Sequence, residues 1–397
     1  MKFGFNQWMT LRQALGFAAL LVLLQVTCTM LFSGAHGLGE GYSKLLNWDS
    51  FHYEKISSQG YSFPANGQVS SDDIHAGKAN VVFFPGYPLA GALIQRVSGL
   101  STSISLLLVA HLCAWMAWSY LLLILSRTGM TRRGCLWAAA VIAVYPSSFF
   151  MVTAYTESLF LAGMLGLIFW SDRWMKSGSA VSWILALAHG WALSLTRIVG
   201  FAVDGYPVLC DFFRKRVRFA SIALFLLSTA TSVLFFVYCQ HRFGDWAVYF
   251  KLEEIGWQNQ PLYFAILNPM SYVPRFFFEP TVDSFSRSSV TFAAVLFLVW
   301  ARSEWKVRKA TGVLSETRLA RGLVALAMFY IALTGKANSN MDSMLRYTLP
   351  VYVLLIMNFA ELGWRPRANW KFALFLATCL GIQFWNMYRF THGHWVA

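Results

Sequence analysis

The stretch "NWDSFHYEKISSQGY", residues 47–61, places an Asp, a His, a Glu and a Lys within seven residues. A carboxylate in such a cluster can act as a general base and take a proton from a reacting hydroxyl group. The same Asp could instead serve only the helix dipole, because a negative charge in a first turn stabilises a helix. The residue types alone leave both interpretations open.

The spacing of these residues predicts a helix. Asn47 is a favourable N-cap residue and Gly60 is a common helix terminator, so Asp49 falls in the first turn. At i, i+3, i+4 and i+7 spacing, one face of this helix carries Asp49, His52, Tyr53 and Ile56, while Glu54 points elsewhere. Asp49 is therefore the candidate catalytic carboxylate. Trp48, His52 and Tyr53 are candidates for binding a substrate beside it.

Charged side chains at three later turns could join this carboxylate. They are Glu157 in "YTESLF", Arg197 in "SLTRIVG", and Lys336, Asp342 and Arg346 in "KANSNMDSMLRY". Cations beside lipid usually extend toward the phosphate headgroups. Three cations on one side could also hold a single lipid phosphate, which Arg contacts with a planar fork of donors.

A metal site is a weaker interpretation of the sequence. Asp72, Asp73 and His75 lie together in "SSDDIHAGK", but their spacing matches no strong metal signature and favours a solvated loop. The six cysteines show neither CxxC spacing nor a Cys/His ligand pattern, so we expect neither a disulfide framework nor a structural metal. The next motif, "FFPGYP" (Phe83 to Pro88), predicts a turn that leads into a helix.

The composition is that of a membrane protein. Of the 397 residues, 57% are hydrophobic and only 13% are charged, against roughly 25% in ordinary soluble domains. The net charge of +14 falls in short clusters between apolar runs, as the positive-inside rule expects, which argues against nucleic-acid binding. We therefore expect a single all-α, polytopic membrane domain over residues 1–397.

Eleven transmembrane helices are predicted. They cover about 12–32, 101–126, 134–152, 157–171, 179–194, 198–213, 219–240, 288–303, 319–335, 346–362 and 371–388. A cytoplasmic N-terminus then puts the clusters "RTGMTRR", "RKRVR" and "RSEWKVRK" in the cytoplasm. Two long loops, 33–99 and 241–287, fall outside and are rich in aromatic residues, so we expect interfacial helices there. Asp204, inside a predicted span, needs a partner or a cavity.

Five motifs in order resemble the PIG-V family, the membrane mannosyltransferases that include GPI mannosyltransferase 2 and bacterial relatives. They are "WDSFHYEKISSQGY", "FFPGYP", "YTESLF", "SLTRIVG" and "RFGDWAVYF", with a weaker echo in "LRYTLPVY" and the closing "HGHWVA". The chain departs from the family at Ser57, where Ala is common, and at Gly86, where Leu is common.

The resemblance implies a GT-C glycosyltransferase fold whose first extracytoplasmic loop carries an acidic catalytic residue, at the position of Asp49. It also implies an inverting transfer of mannose, or a related hexose, from a polyprenyl-phosphate donor to an extracytoplasmic glycolipid or glycan. Cations alone can stabilise a phosphate leaving group, so no metal or other cofactor is expected. A bacterial plasma membrane is the expected location.

Two other functions fit parts of the sequence. A transporter or lipid flippase would suit a polytopic bundle with a buried Asp204, but transporters place coupling residues near mid-membrane in repeated spans, and no repeat is visible. A non-catalytic assembly partner is compatible only with an Asp49 that can be replaced without effect.

Overall fold

The computed structural model describes residues 9–64, 67–260, 278–279, 284–336, 341–364 and 369–396, and within these ranges it is helical without a strand. The α-helices are α1 (Leu11–Leu31), α2 (Leu38–Ser43), α3 (Asp49–Gln59), α4 (Ser71–His75), α5 (Gly86–Ser98), α6 (Thr102–Leu125), α7 (Arg132–Ala143), α8 (Glu157–Ser177), α9 (Ala180–Ser194), α10 (Gly200–Asp204), α11 (Tyr206–Phe213), α12 (Phe219–Phe243), α13 (Val248–Trp257), α14 (Ser284–Thr311), α15 (Glu316–Gly335), α16 (Met344–Tyr347), α17 (Leu349–Glu361) and α18 (Trp370–Thr391). A 3₁₀ helix covers Ser148–Val152.

Five of these helices are long and apolar enough to cross a membrane: α1, α6, α12, α14 and α15. Large apolar side chains on their outer faces are exposed, for example Leu23 on α1 and Leu234 on α12. Outward-facing apolar side chains on a helical bundle indicate that lipid, rather than water, surrounds it. The chain is thus built as a membrane protein, and the count of eleven spans stays a prediction.

The centre of the bundle is formed by helices with no polar face. Every residue of α17 except Glu361 is buried, as are most residues of α8. A helix that is apolar all round belongs in a core. α8 packs against α6 and α9, and α1 packs on α6. Because only residues 178–179 separate α8 from α9, the two helices run antiparallel.

Three predicted spans are wrong as continuous helices. The span 134–152 breaks after Ala143 at Pro146, a residue that lacks an N–H and clashes with the preceding turn. The span 198–213 is divided into α10 and α11, with Pro207 at the start of α11. The span 346–362 is divided into α16 and α17, with Pro350 in the first turn of α17. In each case a proline stands where a new helix or an irregular segment begins.

Two side chains of α18 pair with the irregular backbone around Pro146. Gln383 Nε2 donates to the carbonyl oxygens of Ala143 and Tyr145, at 2.9 and 3.0 Å, and Asn386 Nδ2 donates to the Pro146 oxygen at 3.4 Å. Unpaired backbone groups in a bilayer cost several kcal/mol each, so non-helical backbone is tolerated there only when it is paired within the protein. The side-chain amides of α18 therefore make it possible for the chain to leave the helical conformation at Pro146.

Short helices form in both long loops, and their place at the membrane interface stays a prediction. The loop 33–99 contains α2 to α5, and the loop 241–287 contains α13. Residues 261–277 and 280–283 of the second loop lie outside the described part of the chain. "FFPGYP" does lead into a helix, because α5 begins at Gly86. The solvent exposure expected around Asp72 is confirmed, but the irregular backbone expected there is wrong. That segment is α4, which Ser70 and Asp73 cap reciprocally.

Gly86 permits close contact between α5 and the "SLTRIVG" turn. Its N–H donates to the Leu195 oxygen at 2.7 Å, and a Cβ atom placed on Gly86 would lie only 2.8 Å from that same oxygen. Backbone atoms on both sides leave no flexible side chain to move aside. A glycine is therefore required here, at a position where the PIG-V resemblance leads one to expect leucine.

Replacing Gly86 with Ala should destabilise the protein. Overpacking of this kind costs about 1–3 kcal/mol, so the midpoint of thermal unfolding in detergent should fall. Gly39→Ala is the matched control: nothing lies within 4 Å of its Cβ position, and Ala favours a helix, so the midpoint should stay equal or rise. An unchanged midpoint for Gly86→Ala would show that the turn and α5 can separate without cost.

Candidate active site

An ion pair between two residues 297 positions apart lies at the centre of the candidate site. Arg346 Nη1 donates to Asp49 Oδ2 at 3.1 Å, and the two side chains are only 6% and 16% exposed. A predicted cation, Arg346, therefore lies directly beside the predicted carboxylate, Asp49. A guanidinium and a carboxylate buried together compensate charges that neither could carry alone.

A second carboxylate stands between two guanidinium groups. Glu157 Oε1 accepts from Arg197 Nη2 at 2.5 Å and lies 3.9 Å from Arg346 Nη1. Arg197 also donates to Thr156 Oγ1 through Nε and Nη2, at 3.0 and 2.7 Å. The structure thus joins the three motifs around Asp49, Glu157 and Arg197 to Arg346 in one buried network.

The backbone is strained on both sides of the Asp49–Arg346 pair. Trp48 has φ 55° and Ser343 has φ 70°, a region that residues other than glycine rarely adopt. Ser343 Oγ accepts from Arg346 Nη2 at 2.9 Å. Trp48 Nε1 donates to the His394 oxygen at 3.2 Å. Strained residues persist only where surrounding contacts hold them, and they cluster at functional sites.

The predicted ends of α3 are half correct. Gly60 terminates the helix, with φ 79°, but Asn47 is not the N-cap because α3 begins at Asp49 after Trp48. Asn47 Nδ2 instead donates to the oxygens of Lys44 and Phe390, at 3.1 and 2.8 Å. The amide that was expected to cap the helix fastens this loop to the last helix of the bundle.

A cavity of about 230 Å³ opens beside the ion pair. Of the predicted site residues, it is lined by Asp49, Tyr53, Arg197, Lys336 and Arg346. Apolar residues of α15, including Met328 and Ile331, line it as well. The cavity combines charged groups with an apolar wall, which is the usual character of a ligand site.

The remaining predicted residues lie around the cavity and do not line it. Glu157 is buried behind Arg197 and Arg346. His52 stacks on Phe83 with ring centroids 4.6 Å apart, and burial lowers its pKa although Asp49 opposes the shift. Trp48 contacts Trp395 edge to face, with ring centroids 5.4 Å apart.

Glu54 faces away from the cavity, as its helical position predicted. Its carboxylate accepts from the Ser103 hydroxyl at the start of α6. It therefore offers a carboxylate on the same helix as Asp49 that does not reach the cavity, and it serves below as a control.

Several cavity residues were not predicted. Glu253, Asn259, Tyr249 and Trp257 come from α13 and its end, and Trp395 comes from the closing "HGHWVA". Glu253 Oε2 accepts from Asn259 Nδ2 at 2.5 Å. The many aromatic residues of the loop 241–287 indicated that α13 could take part in a site. The resemblance of the closing "HGHWVA" to the PIG-V family indicated the same for Trp395. Neither pattern distinguishes Glu253 from its neighbour Glu254.

Lys336 and Glu253 influence each other's titration across the cavity. Burial lowers the pKa of Lys336, and Glu253 and Asp342 oppose that shift. Burial likewise raises the pKa of Glu253, and Lys336 opposes it. The Lys336 Nζ also lies 6.0 Å from the centre of the Tyr347 ring. Residues 337–340 of the motif "KANSNMDSMLRY" lie outside the described residues.

Asp73, one of the three residues considered as a metal set, serves other contacts. Asp73 accepts from the Ser70 hydroxyl and pairs with Lys78 Nζ at 3.2 Å. Across the described residues, no group of three or more His, Cys, Asp or Glu side chains could hold a metal ion. Asp49 at the cavity and Glu157 behind it are both paired with arginines, so neither carboxylate is left to bind a cation.

Asp204 has the partner that the sequence did not identify. Its Oδ2 accepts from Ser194 Oγ at 2.5 Å and from Thr229 Oγ1 at 3.5 Å. These contacts lie within α9, α10 and α12 and are separate from the cavity residues. They satisfy part of a carboxylate that is fully buried in the bundle.

The fold is similar to that of an archaeal membrane enzyme. No family model matches the chain, and no curated protein matches it. The apo crystal structure of the oligosaccharyltransferase from Archaeoglobus fulgidus superposes with a TM-score of 0.52 at 14% identity, over 98% of this chain and 56% of that chain. The chain thus spans about half the length of that enzyme.

A second structure from the same organism gives a lower score. It is the oligosaccharyltransferase AglB in complex with an inhibitory peptide and a dolichol-phosphate, with a TM-score of 0.48, 12% identity, and coverage of 95% of this chain and 56% of that chain. Because the first match is only 14% identical in sequence, the similarity shows a common fold and does not show the reaction. The expected all-helical architecture is confirmed, and its fold is similar to that of this oligosaccharyltransferase.

Removal of Glu157 should destabilise the protein strongly. Glu157→Ala leaves Arg197 and Arg346 without the carboxylate that they share, and removing one partner of a buried ion pair costs about 3–5 kcal/mol. Thermal unfolding in detergent should show a large decrease in midpoint. Addition of Arg197→Met should recover part of the loss, because one unpartnered cation is then gone.

The control for this prediction is Glu254→Ala. Glu254 is exposed, so its removal should change the midpoint little. Equal midpoints for Glu157→Ala and Glu254→Ala would mean that the buried network contributes nothing to stability.

Proposed function

We propose that the chain is an inverting glycosyltransferase of the PIG-V type. It moves mannose, or a related hexose, from a polyprenyl-phosphate donor to an extracytoplasmic glycolipid or glycan acceptor. The observation that carries this proposal is the pairing of Asp49 with Arg346 in a cavity that also receives Arg197 and Lys336. The likeness of the fold to an oligosaccharyltransferase supports a transferase.

The cavity provides the two functions that a displacement at an anomeric carbon requires. The acceptor oxygen forms a bond to the anomeric carbon while the bond from that carbon to the phosphate oxygen breaks, and the electron pair leaves with polyprenyl phosphate. Asp49 takes the proton of the acceptor hydroxyl. Arg346, Arg197 and Lys336 stabilise the negative charge that develops on the phosphate. No cofactor takes part in this proposal.

Arg346 also links donor binding to the state of the base. Its Nη1 donates to Asp49 Oδ2. An arriving phosphate offers a second anion to the same guanidinium, so Arg346 can turn toward the donor and leave the Asp49 oxygen open to the acceptor hydroxyl. Binding of the donor would then prepare the base.

In the proposed orientation the N-terminus is cytoplasmic and the cavity lies on the outer side of a bacterial plasma membrane. A polyprenyl tail would lie in the bilayer against the apolar residues of α15 that line the cavity, such as Met328 and Ile331. The sugar phosphate would then reach the cations at the membrane surface.

Asp49→Asn should abolish transfer. The amide keeps an oxygen that can accept from Arg346 but loses the basicity, and general base catalysis contributes about a hundred- to ten-thousandfold. The measurement is thin-layer analysis of products from radiolabelled polyprenyl-phosphomannose and a panel of acceptors, with purified protein in lipid vesicles. Donor binding should stay near the wild-type value.

Glu54→Gln is the control for Asp49→Asn, because it changes a carboxylate on α3 that faces Ser103. Its turnover should stay close to that of the wild type. Retention of more than about a tenth of wild-type turnover in Asp49→Asn would assign the base to another residue. Donor movement across the vesicle membrane without any sugar transfer would favour the transporter or flippase alternative.

Arg346→Ala should weaken donor binding roughly ten- to a hundredfold, because hydrogen bonds to charged groups contribute about 1.5–3 kcal/mol. Arg346→Lys should recover only part of this loss, since an ammonium group lacks the fork of donors. Equilibrium binding of radiolabelled polyprenyl phosphate to the purified variants measures both effects. Wild-type affinity in well-folded Arg346→Ala would remove Arg346 from the donor site.

A further inference from the structure

The wall of the cavity formed by α13 has a different chemistry from the wall that carries the arginines. Glu253 and Asn259 line it with hydrogen-bond acceptors, and the rings of Tyr249 and Trp257 lie beside them. The Tyr249 hydroxyl interacts with the same Glu253 carboxylate. A negative carboxylate repels a phosphate group, so this wall suits a different part of the ligand.

One acceptor atom on this wall is unused. Asn259 donates through Nδ2 to Glu253 Oε2, at 2.5 Å, and this contact fixes the amide. Within the described part of the chain, the Asn259 Oδ1 atom is buried without a hydrogen-bond partner. A buried acceptor left unpaired costs about 1–3 kcal/mol. Asn259 lines the cavity, so a small rotation of its side chain would bring Oδ1 to a ligand hydroxyl and remove that cost.

Lys336 lies between the two walls. It interacts electrostatically with Glu253 and with Asp49, and it is buried. The end of its helix is tied to the end of α13, because the Gln260 N–H donates to the Gly335 oxygen at 3.1 Å. The acidic wall is therefore held at a fixed position relative to the cations.

We infer that Glu253 and Asn259 form the subsite that recognises the hydroxyl groups of the donor sugar, an inference that rests on the proposed function. With the phosphate at Arg346 and Arg197, the attached pyranose extends toward α13. There its hydroxyls donate to Glu253 and to Asn259 Oδ1, and its C–H face packs on Tyr249 or Trp257. Glu253 is a specificity-determining residue in this arrangement, because a site built to bind hydroxyls discriminates against ligands that lack them.

The test compares three lipids on the purified full chain: polyprenyl phosphate, polyprenyl-phosphomannose and polyprenyl-phosphoglucose. Wild-type protein should bind at least one sugar-linked lipid more tightly than the sugar-free carrier. Glu253→Gln should lose roughly ten- to a hundredfold in affinity for that lipid and should bind polyprenyl phosphate as the wild type does. Asn259→Ala should change the same affinity in the same direction, and it provides the test if Glu253→Gln does not fold.

Glu254→Gln is the matched control, because Glu254 is the next residue of α13, is exposed, and accepts from Gln260 Nε2 at 2.7 Å. It should bind all three lipids as the wild type does. Equal wild-type affinity for sugar-linked and sugar-free lipids would overturn the subsite alone. So would a Glu253→Gln variant that keeps its sugar-linked affinity and raises only the KM for the acceptor. A wild-type protein that binds no polyprenyl lipid would overturn the proposed function and the subsite together.

Discussion

Four charged side chains from distant parts of the sequence cannot be buried unless they are buried together. Asp49 on α3, Glu157 on α8, Arg197 after α9 and Arg346 on α16 form one network of short contacts. Each charge alone would cost several kcal/mol to remove from water. The position of α3 against the bundle, the strained residues Trp48 and Ser343, and the close packing at Gly86 all hold these four groups within reach of one another.

Much of the fold is readable from the sequence because lipid leaves few choices to a backbone. The apolar runs of α1, α6 and α12 were predicted within a few residues. The breaks at Pro146, Pro207 and Pro350 were not, although each proline is visible in the sequence. The pairing amides of Gln383 and Asn386, about 240 residues away from Pro146, decide whether a proline kinks a span or divides it. Hydropathy carries no such long-range information.

The candidate site was predicted in part for the same reason. Local spacing selects Asp49 over Glu54, and the structure turns these two carboxylates to different surroundings. The partnership of Asp49 with Arg346 depends on packing across 297 residues, and no local pattern fixes it. Glu253 and Glu254 are identical in type and adjacent. Only the way α13 lies against the cavity exposes one to water and turns the other inward.

The attachment of α3 to the last helix has a consequence for biosynthesis. Asn47 and Trp48 bind the oxygens of Phe390 and His394, which lie 343 and 346 positions later. At about 5–20 residues per second, a ribosome needs roughly 20–70 s to make that interval. Arg346 lies 297 positions after Asp49, so for most of this time the nascent chain holds Asp49 without the arginine that neutralises it. The loop that carries Asp49 is thus completed only after α18 has been made, and a chain that stops ahead of residue 346 lacks the arginine that pairs with Asp49.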